Sequence, residues 1–309
     1  MPSKTSYVTE NIIRNTPLPN HGRKYTVIPH GQVIDRTRES LTQAGLSIEK
    51  ELYKSSLDGQ VAQGVYHLVS KNDPEIGMMF AWGNSYNKLH RFKCAVGARV
   101  FVCDNGMISG DMASYSRLHK GAGALHDAMT SIDYQISNAG SHFSQLIADK
   151  EMLKGIKMDR ADQGAVLGQL FACEDIITLY QASVIKKQMD EPTYDYGTDP
   201  NTAWVMYNHI THALKESHPA NYLKDHERVH QYFVDQFGQL KITNPNQGND
   251  APLPIDTLLN RITNGLMVGT EPSITGVGTG SSITGFSNLT TTNQNNEENT
   301  PPMFGVQFS

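Results

Sequence analysis

Between Leu52 and Cys103 the chain carries a succession of strand-like runs whose connectors are too short for anything but antiparallel pairing. Parallel neighbours need crossovers of a dozen residues or more, so these runs must form a meander. Leu52–Ser55 opens it. Val61–Ser70 alternates Val65, His67 and Val69 against Tyr66 and Leu68. Asp73-Pro74 marks a turn. Ile76–Trp82 then puts Ile76, Met78, Phe80 and Trp82 on one face, as a period of two requires. Strands are expected at Leu89–Val96 and Ala98–Cys103, closed by the turn signal Asp104-Asn105-Gly106.

The last two runs mix apolar and basic residues. Alternation predicts Arg91 and Lys93 on one face and Phe92 and Cys94 on the other. Lys88, Arg91, Lys93 and Arg99 are therefore candidate phosphate contacts, with Tyr86, Phe92 or Phe101 offering ring faces to bases. Arg117, His119 and Lys120 extend the cluster. The alternative is a solvent-exposed sheet face that merely carries charge.

Either side of this segment the pattern changes. Residues 1–24 read as an irregular arm broken by Pro17 and Pro19. Lys24–Pro29 reads as a short strand, and Gly31–Ala44 as a helix with Gly45 as its C-terminal cap. A sheet unit over 25–123 is followed by a helical unit over 124–240 packed on it. Its helices are expected at Ala124–Met158, with a bend at Gly140, at Arg160–Met189 with Asp159 as N-cap, at Asn201–Ser217 and at Asn221–Phe237. Residues 241–309 form a polar, low-complexity tail, expected to be disordered, that ends in an apolar tip of Met303, Phe304, Val306 and Phe308. That tip suits docking to a protein partner, or packing on its own or a neighbouring subunit. The fold class is α+β.

No catalytic chemistry is announced. There is no G-x-S-x-G, no phosphate-binding G-x-x-x-x-G-K-[ST] and no dinucleotide-binding glycine fingerprint. The three cysteines, Cys94, Cys103 and Cys173, are widely spaced and read as buried free thiols. His226 and His230 share a helix face at a spacing that suits a metal, and His209 and His212 do so less well. No H-E-x-x-H or telling carboxylate accompanies them, so no metal and no cofactor is expected. The net charge of −5 hides an asymmetry: residues 1–125 hold 15 Lys/Arg against 10 Asp/Glu, and residues 126–309 hold 11 against 21. A basic half joined to an acidic half is common in proteins that bind nucleic acid through one part. The first residues contain no apolar leader and no run is long enough for a membrane helix, which points to the cytoplasm and away from membranes.

Two segments resemble a known family. Arg99–Met107 (RVFVCDNGM) resembles the R-V-V-C-x-N element of the phage/plasmid-like proteins gathered as domain of unknown function 932. Thr202–His218 (TAWVMYNHITHALKESH) resembles that family's later element, with Trp204, Asn208, Thr211 and His218 on one helix. The chain departs from it at His209, where a small residue is usual. The resemblance spans roughly Tyr25 to Phe237 and implies a mobile-element protein acting in a bacterial cytoplasm. At the level of topology, a meander followed by a long helix is also similar to phage single-strand annealing proteins.

Two expectations follow. The first is a nucleic-acid-binding protein, a single-strand binder or annealer that forms a homo-oligomer. The second is a non-enzymatic structural or host-interaction protein of a mobile element. An enzyme would need a metal or cofactor that the sequence does not announce.

Overall fold

The computed structural model describes residues 5–238 except 57, 70, 71, 89 and 110–113, so the expected tail with Met303, Phe304, Val306 and Phe308 lies outside the described residues. The strands are β1 (Thr5–Val8), β2 (Ile48–Ser56), β3 (Val61–Leu68), β4 (Ile76–Ser85), β5 (Phe92–Val100), β6 (Asn105–Met107) and β7 (Ser114–Arg117). They form one antiparallel sheet in the order β1-β2-β3-β4-β5-β6, with β7 also on β5. The helices are α1 (Glu10–Arg14), α2 (His30–Gln43), α3 (Ala124–Ser137), α4 (Ala139–Lys154), α5 (Arg160–Gly168), α6 (Leu179–Asp190), α7 (Ala203–Leu214) and α8 (Tyr222–Phe237). An antiparallel meander followed by helices is the α+β arrangement that the sequence predicts.

β3 and β4 are buried at every position, which is why their alternation is apolar against apolar and not apolar against polar. One face carries Tyr66, Phe80, Trp82, Phe92 and Val96 into the main core, where Val33, Ile132, Phe143, Trp204 and Tyr207 of the helices meet them. The other face carries Val65, Met79, Ala81 and Ala95 under Ile108 and Leu223. Gly64 is required by the first face. It pairs with Trp82, whose indole lies across it, and a Cβ there would stand 2.5 Å from Trp82 Nε1.

Buried charge ties the helices to the sheet. Lys150 of α4 is 1% exposed and donates to Asp73 (2.7 Å) and Glu75 (2.8 Å) in the turn before β4. Asp73 in turn accepts the backbone N–H groups of Glu75 and Ile76. One carboxylate thus shapes the turn and holds the helix.

Several expected elements are corrected. The arm over residues 1–24 is not wholly irregular, because Thr5–Val8 pairs with β2 and α1 follows. Lys24–Pro29 is not a strand; it makes a single bridge, Tyr25 to Lys120. The expected hairpin at Asp104-Asn105-Gly106 is displaced. β5 runs unbroken through Gly97, and the chain turns over Phe101–Asp104. Asp104 itself takes the left-handed conformation (φ 55°), which aspartate tolerates, so Asn105 and Gly106 enter β6. The helix expected over Ala124–Met158 breaks at Asn138 and not at Gly140. The one expected over Arg160–Met189 begins on the Asp159 cap as anticipated, then passes into a π-helical turn at Gln169–Cys173. It restarts at Thr178, whose hydroxyl accepts from Gln181 N while Gln181 reaches back to Thr178 N. That Thr-x-x-Gln capping box is the legible signal for the restart.

Candidate functional site

The structure scatters the expected basic cluster and neutralises part of it. Arg99 lies on the outer face of β5 and is 9% exposed. Its guanidinium is shared between Glu49, Asp104 (3.4 Å) and the Nδ1 of His67 (3.0 Å). Phe101 lies over that guanidinium and across Gly77, so both partners occupy its ring. Lys93 is on the same face, six residues from Arg99 and so about 20 Å away along the strand. It faces Glu227 of α8 at 4.0 Å. Arg117 is paired with Asp127 of α3 at 2.8 Å. Phe92 and Tyr86 are buried (0% and 1% exposed) and present no ring to solvent. Arg99 therefore faces acidic partners in a largely buried position, Phe101 stays 38% exposed beside it, and Lys93 and Arg117 have acidic partners.

What the structure does bring together lies around Tyr25. The Tyr25 ring stacks on His119 (5.1 Å between centroids, 3° between planes) and meets His21 edge-on at 4.8 Å. Lys88 sits over the same ring at 5.8 Å, held there by a left-handed backbone (φ 66°). The Tyr25 hydroxyl donates to the Ser85 carbonyl, and Ser85 Oγ holds both His90 N and His90 O just before Arg91. The backbone bridge from Tyr25 brings in Lys120. Arg23 and Lys24 flank the ring in sequence. All five cations, Arg23, Lys24, Lys88, Arg91 and Lys120, are exposed, and none pairs with a carboxylate among the described residues. Nearby carboxylates are engaged: Asp127 by Arg117, and Asp58 by Ser56 Oγ and Gln60 N. Of the expected contacts, Lys88, Arg91, His119 and Lys120 fall in this cluster. The sequence reading missed Arg23 and Lys24 because they precede the meander; the adjacent pair beside Tyr25 was the available signal.

The two segments singled out by their resemblance pack against each other. Asn105 Nδ2 donates to the Asn208 carbonyl (2.9 Å) and to Asn208 Oδ1 (3.2 Å). Lys215 donates to the Cys103 carbonyl, and Asn208 Nδ2 returns to the Trp204 carbonyl. These side chains fasten β6 to α7. The Cys103 thiol is buried, and burial pushes it up to about 11, so it stays protonated and is no nucleophile. His226 and His230 have separate partners, the Tyr222 carbonyl for one and Asp149 with Tyr207 for the other. Among the described residues no three His, Cys, Asp or Glu side chains are grouped to hold a metal ion. No helix among them is long and apolar enough to cross a membrane.

α8 also carries a titrating group. Asp225 accepts from Ser217 Oγ at 2.9 Å, and burial raises its carboxyl to about 6. The folded chain thus holds this proton more tightly than the unfolded chain, in which an aspartate titrates near ~4. The Asp225 contribution is largest below that value and is lost as pH rises through about 6. Asp225→Asn is expected to remove on the order of 1–2 kcal/mol of this pH dependence, checked by urea denaturation at pH 4.5 and pH 7.5.

A family model described as a domain of unknown function (DUF932) matches residues 17–234. No curated protein and no solved structure is detectably similar to the chain. The matched range takes in the Tyr25 cluster and both of the segments that meet at Asn105 and Asn208.

Proposed function

The chain belongs to the domain of unknown function 932 family, and from that footing we propose that it is a single-stranded nucleic-acid-binding protein of a phage or plasmid, acting as an oligomer in a bacterial cytoplasm. Lys88, Arg91 and Lys120, joined by Arg23 and Lys24, would run along the phosphate backbone. One observation supports this reading: among the described residues, the exposed cations Lys88 and Lys120, which meet Tyr25, and Arg23, Lys24 and Arg91, which lie close to its contacts along the chain, have no carboxylate partner, while Arg99, Lys93 and Arg117 face carboxylates. A flexible polyanion fits such a patch because it neutralises several charges at once and releases counterions.

The neutralised Arg99 and Lys93 favour the other reading, a structural or host-interaction protein without nucleic-acid affinity. Size-exclusion chromatography with light scattering, run with and without a single-stranded oligonucleotide, separates the two. We expect a multiple of the 34.2 kDa chain mass that gains oligonucleotide mass at low salt. Co-elution at no salt concentration, with self-association intact, would favour the second reading.

A further inference from the structure

Helix α6 is packed on one side and bare on the other. On its inner side Gln181 donates to Ser217 Oγ, and Ile185 is fully buried. On its outer side Leu179 is 72% exposed, the most of any large apolar residue among the described residues, and Tyr180 is 65% exposed. The π-helical turn before α6 adds Phe171, 38% exposed. Ile176 N and Ile177 N both donate to the Leu170 carbonyl, which folds the chain back and sets that turn beside the start of α6. A leucine and two aromatic rings left in water on adjoining turns are the composition of an interaction surface.

The charges around this surface are sorted along the helix. Glu174 and Asp175 stand before the N-terminal end. Arg228 holds both by their backbone carbonyls, and Gln169 donates to the Glu174 carboxylate, so neither carboxylate meets a cation among the described residues. Lys186 and Lys187 stand near the C-terminal end. Lys186 is taken by Asp190 at 2.6 Å, whereas Lys187 is exposed and has no carboxylate partner among the described residues. α6 has 12 residues and so is about 18 Å long. Acid at one end, an ammonium at the other and apolar side chains between make a surface complementary to itself after a half-turn. The same surface set parallel to itself would bring like charges together.

We propose that this face joins two copies of the chain about a two-fold axis, with the two α6 helices antiparallel. Leu179, Tyr180 and Phe171 of both copies form the apolar centre, and Lys187 of each copy meets Asp175 of the other. This rests on the reading that the chain acts as an oligomer, and it names the surface that joins it. The antiparallel arrangement also opposes the two helix dipoles. An isologous contact of this kind closes on itself, so it gives a dimer or an assembly built from dimers.

Size-exclusion chromatography with light scattering on the full chain, without oligonucleotide, tests it. We expect the parent at an even multiple of the 34.2 kDa chain mass and the Leu179→Glu/Tyr180→Glu variant at half the parent's mass, its self-association weakened about a hundredfold. Lys187→Glu, which sets like charge against like, should weaken it about tenfold. These side chains are exposed, so an unchanged melting temperature is expected of each variant. Ser183→Cys in a Cys173→Ser background is a gain of signal that no folding defect imitates. Ser183 is exposed midway along the outer face, and Cys94 and Cys103 are buried, so mild oxidation should link two chains through position 183. A Leu179→Glu/Tyr180→Glu variant of the parent's mass, or a Ser183→Cys chain that stays unlinked, overturns this face and leaves the oligomer reading standing. A parent of single-chain mass overturns both.

Discussion

Lys150→Met is expected to be the most destabilising single change in the described chain, costing about 3–5 kcal/mol. The ammonium is fully enclosed and meets Asp73, Glu75 and Glu151. Methionine fills the volume but leaves the Asp73 carboxylate, itself 9% exposed, without its cation. Glu75 keeps Lys154 at 2.8 Å, so the loss falls mainly on Asp73. Burying a charge whose partner has gone costs far more than the intact pair contributes. For a folded unit of this size, a loss of that order lowers the melting temperature by roughly 10 °C. Adding Asp73→Asn should recover part of it, since the amide oxygen still accepts from Glu75 N and Ile76 N. Thermal denaturation of the two variants checks both statements; equal melting points for Lys150→Met and its parent would mean that this contact does not join the helices to the sheet.

The largest functional effect is expected from Lys88→Ala, Arg91→Ala and Lys120→Ala combined. These are exposed side chains, so the fold should be unchanged within about 0.5 kcal/mol per site. Affinity for a single-stranded oligonucleotide should fall by about two orders of magnitude at low salt. Arg99→Ala should do the reverse. Its guanidinium holds Glu49, Asp104 and His67 together, so removing it lowers stability and leaves the salt dependence of binding unchanged.

The contrast between those two variants marks where sequence reasoning stops. The meander is legible because short connectors and two-residue alternation leave no other pairing. The face that a strand residue takes is legible for the same reason, and Arg99 and Lys93 do share one. What stands opposite that face is not. Glu49 arrives from β2 and Glu227 from α8, and no local pattern around Arg99 or Lys93 announces either. Asp104 shows the same limit over a shorter range. Asn-Gly is the stronger turn signal, yet Asp104 turns the chain because Asn105 is drawn into the interior by Asn208. The segments around Asn105 and Asn208 stand out in sequence because they pack on each other, not because they line a cleft. Conversely, the Tyr25 cluster gathers residues from three separate stretches, and only their meeting makes a patch.

The central claim is that Arg23, Lys24, Lys88, Arg91 and Lys120, which have no carboxylate partner among the described residues, form a surface for a single-stranded polyanion. A salt titration of oligonucleotide binding, run on the parent and on the Lys88/Arg91/Lys120→Ala variant, measures it directly. The plot of log affinity against log salt should have a slope of about −3.5 for the parent, as five phosphate contacts require, its magnitude reduced by about 2 in the variant, which loses three. Equal slopes and equal affinities in the two proteins would contradict it.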